Sequence, residues 1–580
     1  MYYGRNLGHG HPDTLNLGMA AFGINMAPEL GYPEATGSDP NRAQWINNTI
    51  SHNTVVVNEQ KQTNIPDAAK PLHFDDAGQV KLMDVDSPSS YKGTTDIYRR
   101  TVVSVKADPT TSYSVDFFRI KGGDDHTYSF HSQSKEIFET EGLKFKEQKD
   151  ASGEWVGTYA GADVAWGANS KYMNGYSWLK KVRRADKPGT GEFAVDFKIT
   201  DFRTVLPYPQ DLHLRMTMLN DFDLNEVSIV EGTPPRLKGN PDALEYVLAR
   251  RNGKNLDSLF TTVYEPYKDD RYIESMAQVP TTIVSGKPGK ADTVKAVKVT
   301  LKNGRIDYVV YATNNSVMYR VDDKFDFRGF VGVYMMKDGK VLSTYINDGD
   351  VIGDKTSVTS DYTGRVVDFT KGLVLNNSIT VQMDGNVDPQ SLVGRYVYID
   401  NGAATGNAVY PIESATEANG RLVFGLGSVT LVNTYKDVNN MAKGFNYNIA
   451  EGQKFRIPMS AMDDATPVFA NIGKQKATAG HIFNLRVAAV SPIDSKLTYE
   501  AVAIPAGAQF NAETQEIKWT PSDGQVGNNA FRFSVTDGLF TATLNFMVEV
   551  GPGTGGGGTG GSGTGDGTGD GKPPEEKPDE

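Results

Sequence analysis

His9-Gly10-His11-Pro12-Asp13 sets two imidazoles two residues apart, and a third follows at His52 in the run Asn48-Thr49-Ile50-Ser51-His52-Asn53-Thr54-Val55-Val56-Val57. On an extended strand, residues i and i+2 share a face, so His9 and His11 can act on one object. Imidazole both ligates transition metals and moves protons near neutral pH. The chain has no cysteine, which excludes disulfides and thiolate sites and leaves His, Asp and Glu as metal donors. His11 and His52 are candidate ligands, and Glu29 in Ala27-Pro28-Glu29-Leu30-Gly31-Tyr32 offers the carboxylate between them. Two histidines with one carboxylate fit zinc ahead of manganese or iron. The spacing alone equally admits a plain reading, with the HGH run as a tight turn and His52 capping a strand.

Other candidates carry less chemistry. His126 and His131, five apart, face opposite ways on one strand; His126 either lines a cleft and touches substrate or is a structural histidine. Lys180-Lys181-Val182-Arg183-Arg184 is either a solvated strand edge or a substrate groove. Tyr172, Tyr176 and Trp178 can stack on sugar rings or pack into a core. Asp322-Asp323-Lys324-Phe325-Asp326 lacks the spacing of a calcium loop. No nucleophile elbow, P-loop or zincin motif is present.

The elements that must position these residues are strands. At 580 residues the chain exceeds one hydrophobic core. Its 60 glycines, 27 tyrosines and Thr/Val-rich runs favour β structure. Strands are predicted at 54–57, 97–104, 113–119, 193–199, 213–218, 246–249 and 260–264, with turn residues between them, as in a large antiparallel β-sandwich over 1–275. Residues 13–26 are the one segment there that admits a helix, against Gly18 and Gly23. Further strands at 296–301, 306–311, 329–335, 378–383 and 396–399 imply smaller β domains over 276–370 and 371–464. The fold class expected is all-β, closed by a C-terminal sandwich over 465–550. Residues 551–580 are a Gly/Thr-rich linker. A net charge of −12 and a pI near 5.3 argue against nucleic acid or an anionic membrane as partner. No apolar run reaches the roughly 18 residues of a membrane span, and Met1-Tyr2-Tyr3-Gly4-Arg5 does not read as a signal peptide.

Tyr3-Gly4, His9 to Leu17, Ala27 to Pro33, Trp45 and Asn48 to Val57 together resemble the heparinase II/III-like polysaccharide lyases, which include heparinase II and the oligo-alginate lyases. The resemblance continues more loosely through 125–131 and 206–221. Residues 465–550 resemble bacterial immunoglobulin modules related to cadherin repeats, through Pro505-Ala506-Gly507, Trp519-Thr520-Pro521 and Val535-Thr536-Asp537-Gly538. The first resemblance implies an N-terminal α/α toroid packed on a β-sandwich, with His9 as the sandwich's catalytic contribution to the cleft. It also implies a structural zinc on His11, Glu29 and His52, although the family usually has Asp at the position of Glu29. The reaction implied is β-elimination on a uronate chain: the C5 proton is removed and the C4 oxygen leaves.

A tyrosine and carboxylate-neutralising residues of the toroid would complete that site. With no toroid before His9, the expectation is the sandwich part of a secreted bacterial lyase, inactive alone, with an acidic polysaccharide and the missing toroid as its partners and an extracellular or cell-surface location. The alternatives are a non-catalytic carbohydrate-binding surface protein and a metal-dependent hydrolase using His9, His11 and His52 together.

Overall fold

A computed structural model describes residues 1–4, 6, 10–31, 40–63, 69–108, 110–168, 174–235, 238–356, 361–402, 408–463, 465–492, 495–538 and 540–553. His9, Tyr172 and the linker beyond residue 553 lie outside the described residues. The chain divides into two compact units, Met1–Ala465 and Thr466–Glu580.

The first unit opens with fourteen strands: β1 (Met19–Ala21), β2 (Ile24–Ala27), β3 (Val55–Val57), β4 (Lys70–Asp76), β5 (Val80–Asp86), β6 (Ile97–Lys106), β7 (Ser112–Lys121), β8 (Asp125–His131), β9 (Ile137–Glu141), β10 (Lys146–Glu147), β11 (Leu179–Lys198), β12 (Leu212–Gly232), β13 (Leu244–Asn252) and β14 (Asp257–Lys268). All but β1 and β2 join one hydrogen-bonded system. Two long strands fold it into two layers. The second half of β12 pairs with β13 and the start of β11, whereas its first half pairs with β14 and the end of β11. One layer therefore runs β3-β8-β13-β12 and the other β12-β14-β7-β6-β5-β4. Register shifts in β11 between Lys180 and Arg183, Asp186 and Gly189, and Thr190 and Glu192 supply the bend.

The core lies between the layers. Val55, Tyr128, Phe130 and Val247 from one meet Tyr98, Phe118, Ile120, Phe260 and Tyr264 from the other. Strand β7 is apolar on both faces for a reason: Phe118 faces this core, while Phe117 stacks on Tyr311 with ring centroids 4.9 Å apart. A second cluster covers the outer face of the first layer, where Trp45, Ile46, Ile50, Tyr176 and Trp178 pack on Val56, Val230, Tyr246 and Leu248. Tyr176 and Trp178 are thus core residues.

The helix admitted over residues 13–26 does not form. The segment makes the β1–β2 hairpin instead, with Phe22 and Gly23 both at positive φ (52° and 79°), the pairing a two-residue type I′ turn requires. His11 is likewise not on a strand: residues 10–18 are irregular, with a turn closed from Asn16 N–H to the Asp13 carbonyl.

Beyond the sandwich, a six-stranded sheet (Ile273–Gln278, Val294–Leu301, Arg305–Ala312, Val331–Lys337, Lys340–Asn347, Ser460–Met462) packs with a five-stranded sheet of residues 281–356 around Tyr308, Phe325 and Phe327. Sheet membership then changes at Tyr362. Residues Tyr362–Ile457 supply a seven-stranded sheet with its own core of Ile379, Val397, Phe424 and Phe455. The chain then returns, and Ser460–Met462 pairs with Tyr345–Asn347 of the six-stranded sheet.

The second unit has a four-stranded sheet (Gln475–Thr478, Thr498–Ala503, Gly527–Thr536, Thr541–Gly551) and a three-stranded one (Phe483–Arg486, Gln509–Asn511, Glu516–Trp519). Trp519, Phe531, Phe533 and Val548 fill its core, an immunoglobulin-like sandwich. No helix among the described residues is long and apolar enough to cross a membrane.

Candidate metal centre

Three segments bring the predicted ligands together. The irregular run after Gly10 carries His11 and Asp13, the exit of β2 carries Glu29, and the short 3₁₀ turn Thr49–Ser51 hands over to His52 just before β3. Glu29 stands between the two rings: its Oε1 lies 3.1 Å from His11 Nδ1 and its Oε2 3.2 Å from His52 Nδ1. The ring centroids are 5.1 Å apart. Asp13, which the sequence reading left out of the ligand set, joins the cluster with Oδ2 4.0 Å from His52 Nδ1. One donor atom from each of His11, Asp13, Glu29 and His52 falls within 4.8 Å of all the others. A tetrahedral zinc site with bonds of about 2.0–2.1 Å spaces its ligands by about 3.4 Å, so a small contraction would serve. The signal for Asp13 was its i+2 spacing from His11.

Burial and hydrogen bonds orient the set. His52 is fully buried, and its Nε2 donates to the Ile46 carbonyl at 3.0 Å, which turns Nδ1 toward the carboxylates. Asn16 donates to Glu29 Oε2 at 2.7 Å while its own oxygen accepts from Asn53 N–H. His131 Nε2 donates to the carbonyl of Pro28, beside Glu29. Gln62 clamps Thr14 from both sides, accepting from its N–H and donating to its carbonyl, and Thr49 Oγ1 donates to the Pro12 carbonyl. Behind these, the buried Arg100 guanidinium donates to the carbonyls of Leu15 and Asn53 and pairs with the buried Asp116. Gln62 and Arg100 lie outside every motif, and Asn16, although inside the His9 to Leu17 run, is given no role by it.

The electrostatics suit a cation. Burial raises Asp13 to about 6, against the pull of the neighbouring imidazoles, and its Oδ1 is buried with no hydrogen-bond partner among the described residues. Burial would lower His52, but the Glu29 carboxylate overrides it and lifts the ring to about 9. Burial likewise opposes ionisation of Glu29, yet the two imidazoles hold it well below the usual carboxylate range. Two imidazoles and two carboxylates, convergent and buried except for Glu29, form a donor set that suits zinc.

His126 sits apart from this cluster. It is fully buried on β8, with Nε2 donating to the Gly122 carbonyl at 2.8 Å and Nδ1 2.9 Å from Ser258 Oγ, which is the environment of a structural histidine. The basic run at 180–184 lies within β11, where Lys181 pairs with Glu231, Arg183 with Glu245 and Arg184 with Glu226.

Residues 2–189 match the family model "Heparinase II/III-like, C-terminal", and residues 466–551 match "Putative Ig domain". No curated protein matches the chain. Among solved structures it is similar to the heparan sulfate lyase HepC of Pedobacter heparinus, at 13% identity and a TM-score of 0.33 over 51% of this chain and 36% of that one. It is also similar to a heparinase III, at 15% identity and a TM-score of 0.34 over 53% and 38%. The chain thus spans well under two thirds of either lyase. The cluster of His11, Asp13, Glu29 and His52 thus falls inside the segment that matches the heparinase II/III-like C-terminal model, and the immunoglobulin-like sandwich coincides with the segment that matches the Ig model.

Proposed function

We propose that this chain is the β-domain part of an extracellular polysaccharide lyase that cleaves uronate-containing chains by β-elimination. The observation that carries the reading is the convergence of His11, Asp13, Glu29 and His52 inside the segment that matches the lyase family. His11, Asp13, Glu29 and His52 would hold zinc, whose part is to fix the geometry of the loop that begins at His9 rather than to act on substrate.

β-Elimination needs a group to neutralise the uronate carboxylate, a base for the C5 proton and an acid for the leaving oxygen. His9, two residues before a ligand, is the sandwich's contribution to that set. The described residues hold no helical toroid to supply the remainder. Activity is therefore a property of the sandwich joined to a helical domain, and the chain by itself binds acidic polysaccharide without cleaving it.

Two measurements test this. Elemental analysis of the purified chain is expected to return about one zinc per molecule, falling to background in His52→Ala. Incubation with alginate and with heparan sulfate is expected to give no ultraviolet absorbance from unsaturated uronate. Release of such product by the chain alone would overturn the division of labour, and failure to retain any acidic polysaccharide would overturn the lyase reading.

A further inference from the structure

Glu29 has a second face. While its carboxylate is held by His11, His52 and Asn16, its side chain remains 41% exposed and forms part of the wall of a cavity of about 340 Å³. That volume lies in the range of small-ligand sites. Another part of the wall comes from the 13-residue connection 199–211 between β11 and β12, longer than most connections inside a compact domain.

This connection is built to present its tip. Phe202 packs on the outer-face cluster and Leu206 on the sandwich core, anchoring either side of Arg203, Thr204 and Val205. Asp201 accepts from the backbone N–H groups of Val205 and Leu206 at 3.0 and 2.8 Å, closing the loop on itself. Thr204 is held at φ 50°, a left-handed conformation unfavourable for a β-branched residue and of the kind stored at binding sites. Val205 and Tyr208 stay 59% and 60% exposed.

Arg203 is the one cationic side chain among the described residues lining the cavity. Its Nη2 donates to Asn240 Oδ1 at 2.8 Å, and its stem lies against Gly239, where a Cβ would stand 3.2 Å from Arg203 Cγ. The two carboxylates in the lining are engaged elsewhere, Asp201 by backbone donors and Glu29 by the imidazoles, and no ion pair joins either to Arg203 among the described residues. The rest of the lining is apolar (Pro28, Phe202, Pro241) or amide (Asn25, Gln133). Apolar surface for a ring, amides for hydroxyls and one positioned guanidinium for an anion are the requirements of an acidic sugar.

We propose that this cavity binds one anionic sugar unit of the polysaccharide, with Arg203 pairing to its carboxylate or sulfate. The substrate class rests on the function proposed above; the location does not. Calorimetric titration of the 580-residue chain tests it, using an unsulfated trimannuronate, a sulfated heparan disaccharide and neutral cellotriose. At least one acidic sugar is expected to bind and cellotriose not to bind, with Arg203→Ala weakening binding at least roughly tenfold and Arg203→Lys recovering part of the loss.

Zinc content and melting temperature of both variants are expected to match the unsubstituted chain, which separates lost binding from lost folding. Binding of the trimannuronate assigns the anion as a carboxylate, and binding of the heparan sugar alone assigns it as a sulfate. Acidic sugars bound equally well by Arg203→Ala would overturn the cavity assignment and leave the lyase reading standing. No preference of the unsubstituted chain for acidic over neutral sugar would overturn both.

Discussion

Glu29 illustrates how much one side chain does at this site. It separates two imidazoles, receives Asn16 and walls the adjacent cavity. Glu29→Asp, which restores the residue usual in the resembled family, is expected to keep the metal, whereas Glu29→Gln is expected to lose most of it. Asn16→Ala removes only the group that orients Glu29, and losses of that kind weaken metal binding about 10- to 100-fold. Competition with a chromophoric chelator reads all three. His126 supports a separate prediction. Burial lowers its pKa to about 4 from 6.5, and the neighbouring Arg251 pushes the same way. Between those values the unfolded chain binds a proton that the folded chain refuses. Stability is therefore full above pH 6.5 and falls as the pH drops toward 4, by about 2 kcal/mol at pH 5 for this residue alone. Urea denaturation at pH 7 and pH 5 should show that drop reduced in His126→Gln.

Among the elements, β11 and β12 set the geometry, because each runs through both layers and the 199–211 connection joins them. The loop that carries His11 and Asp13 depends instead on β6, from which Arg100 reaches the carbonyls of Leu15 and Asn53. Arg100→Ala would strand Asp116 as a buried, unpaired carboxylate and cost about 3–5 kcal/mol in chemical denaturation, with loss of the metal. Replacing the pair together, as Arg100→Met with Asp116→Leu, is expected to recover much of that stability and not the metal. Strands such as 97–104, 113–119 and 246–249 were legible because buried sheets need Val, Ile and Tyr in short runs, and the clustering of His11, Glu29 and His52 was legible because a chain without cysteine leaves only His, Asp and Glu as donors. The 13–26 hairpin was not, since its turn depends on Phe22 accepting a positive φ that its side chain does not advertise. Arg100 and Asp116 were hidden for a different reason: a buried ion pair on neighbouring strands looks, in sequence, like two surface charges.

At the scale of the whole molecule, two units with separate cores predict two unfolding transitions in calorimetry. Trp519→Ala should lower the transition of the immunoglobulin-like unit, costing it about 3–5 kcal/mol, and leave the other in place. Residues 466–553 expressed alone should unfold cooperatively. Inside the first unit, the segment 362–457 departs and returns at one spot. The Asp348 N–H donates to the carbonyl of Met459, while His73 and Arg456 close on the Asp348 side chain. The two ends of the insert lie side by side, Tyr362 pairing with Ile457 on strands about 4.8 Å apart. Recombination could therefore exchange this module for another whose ends lie equally close, provided the newcomer also replaces the bonds that Arg395, Tyr398 and Arg456 make to β4.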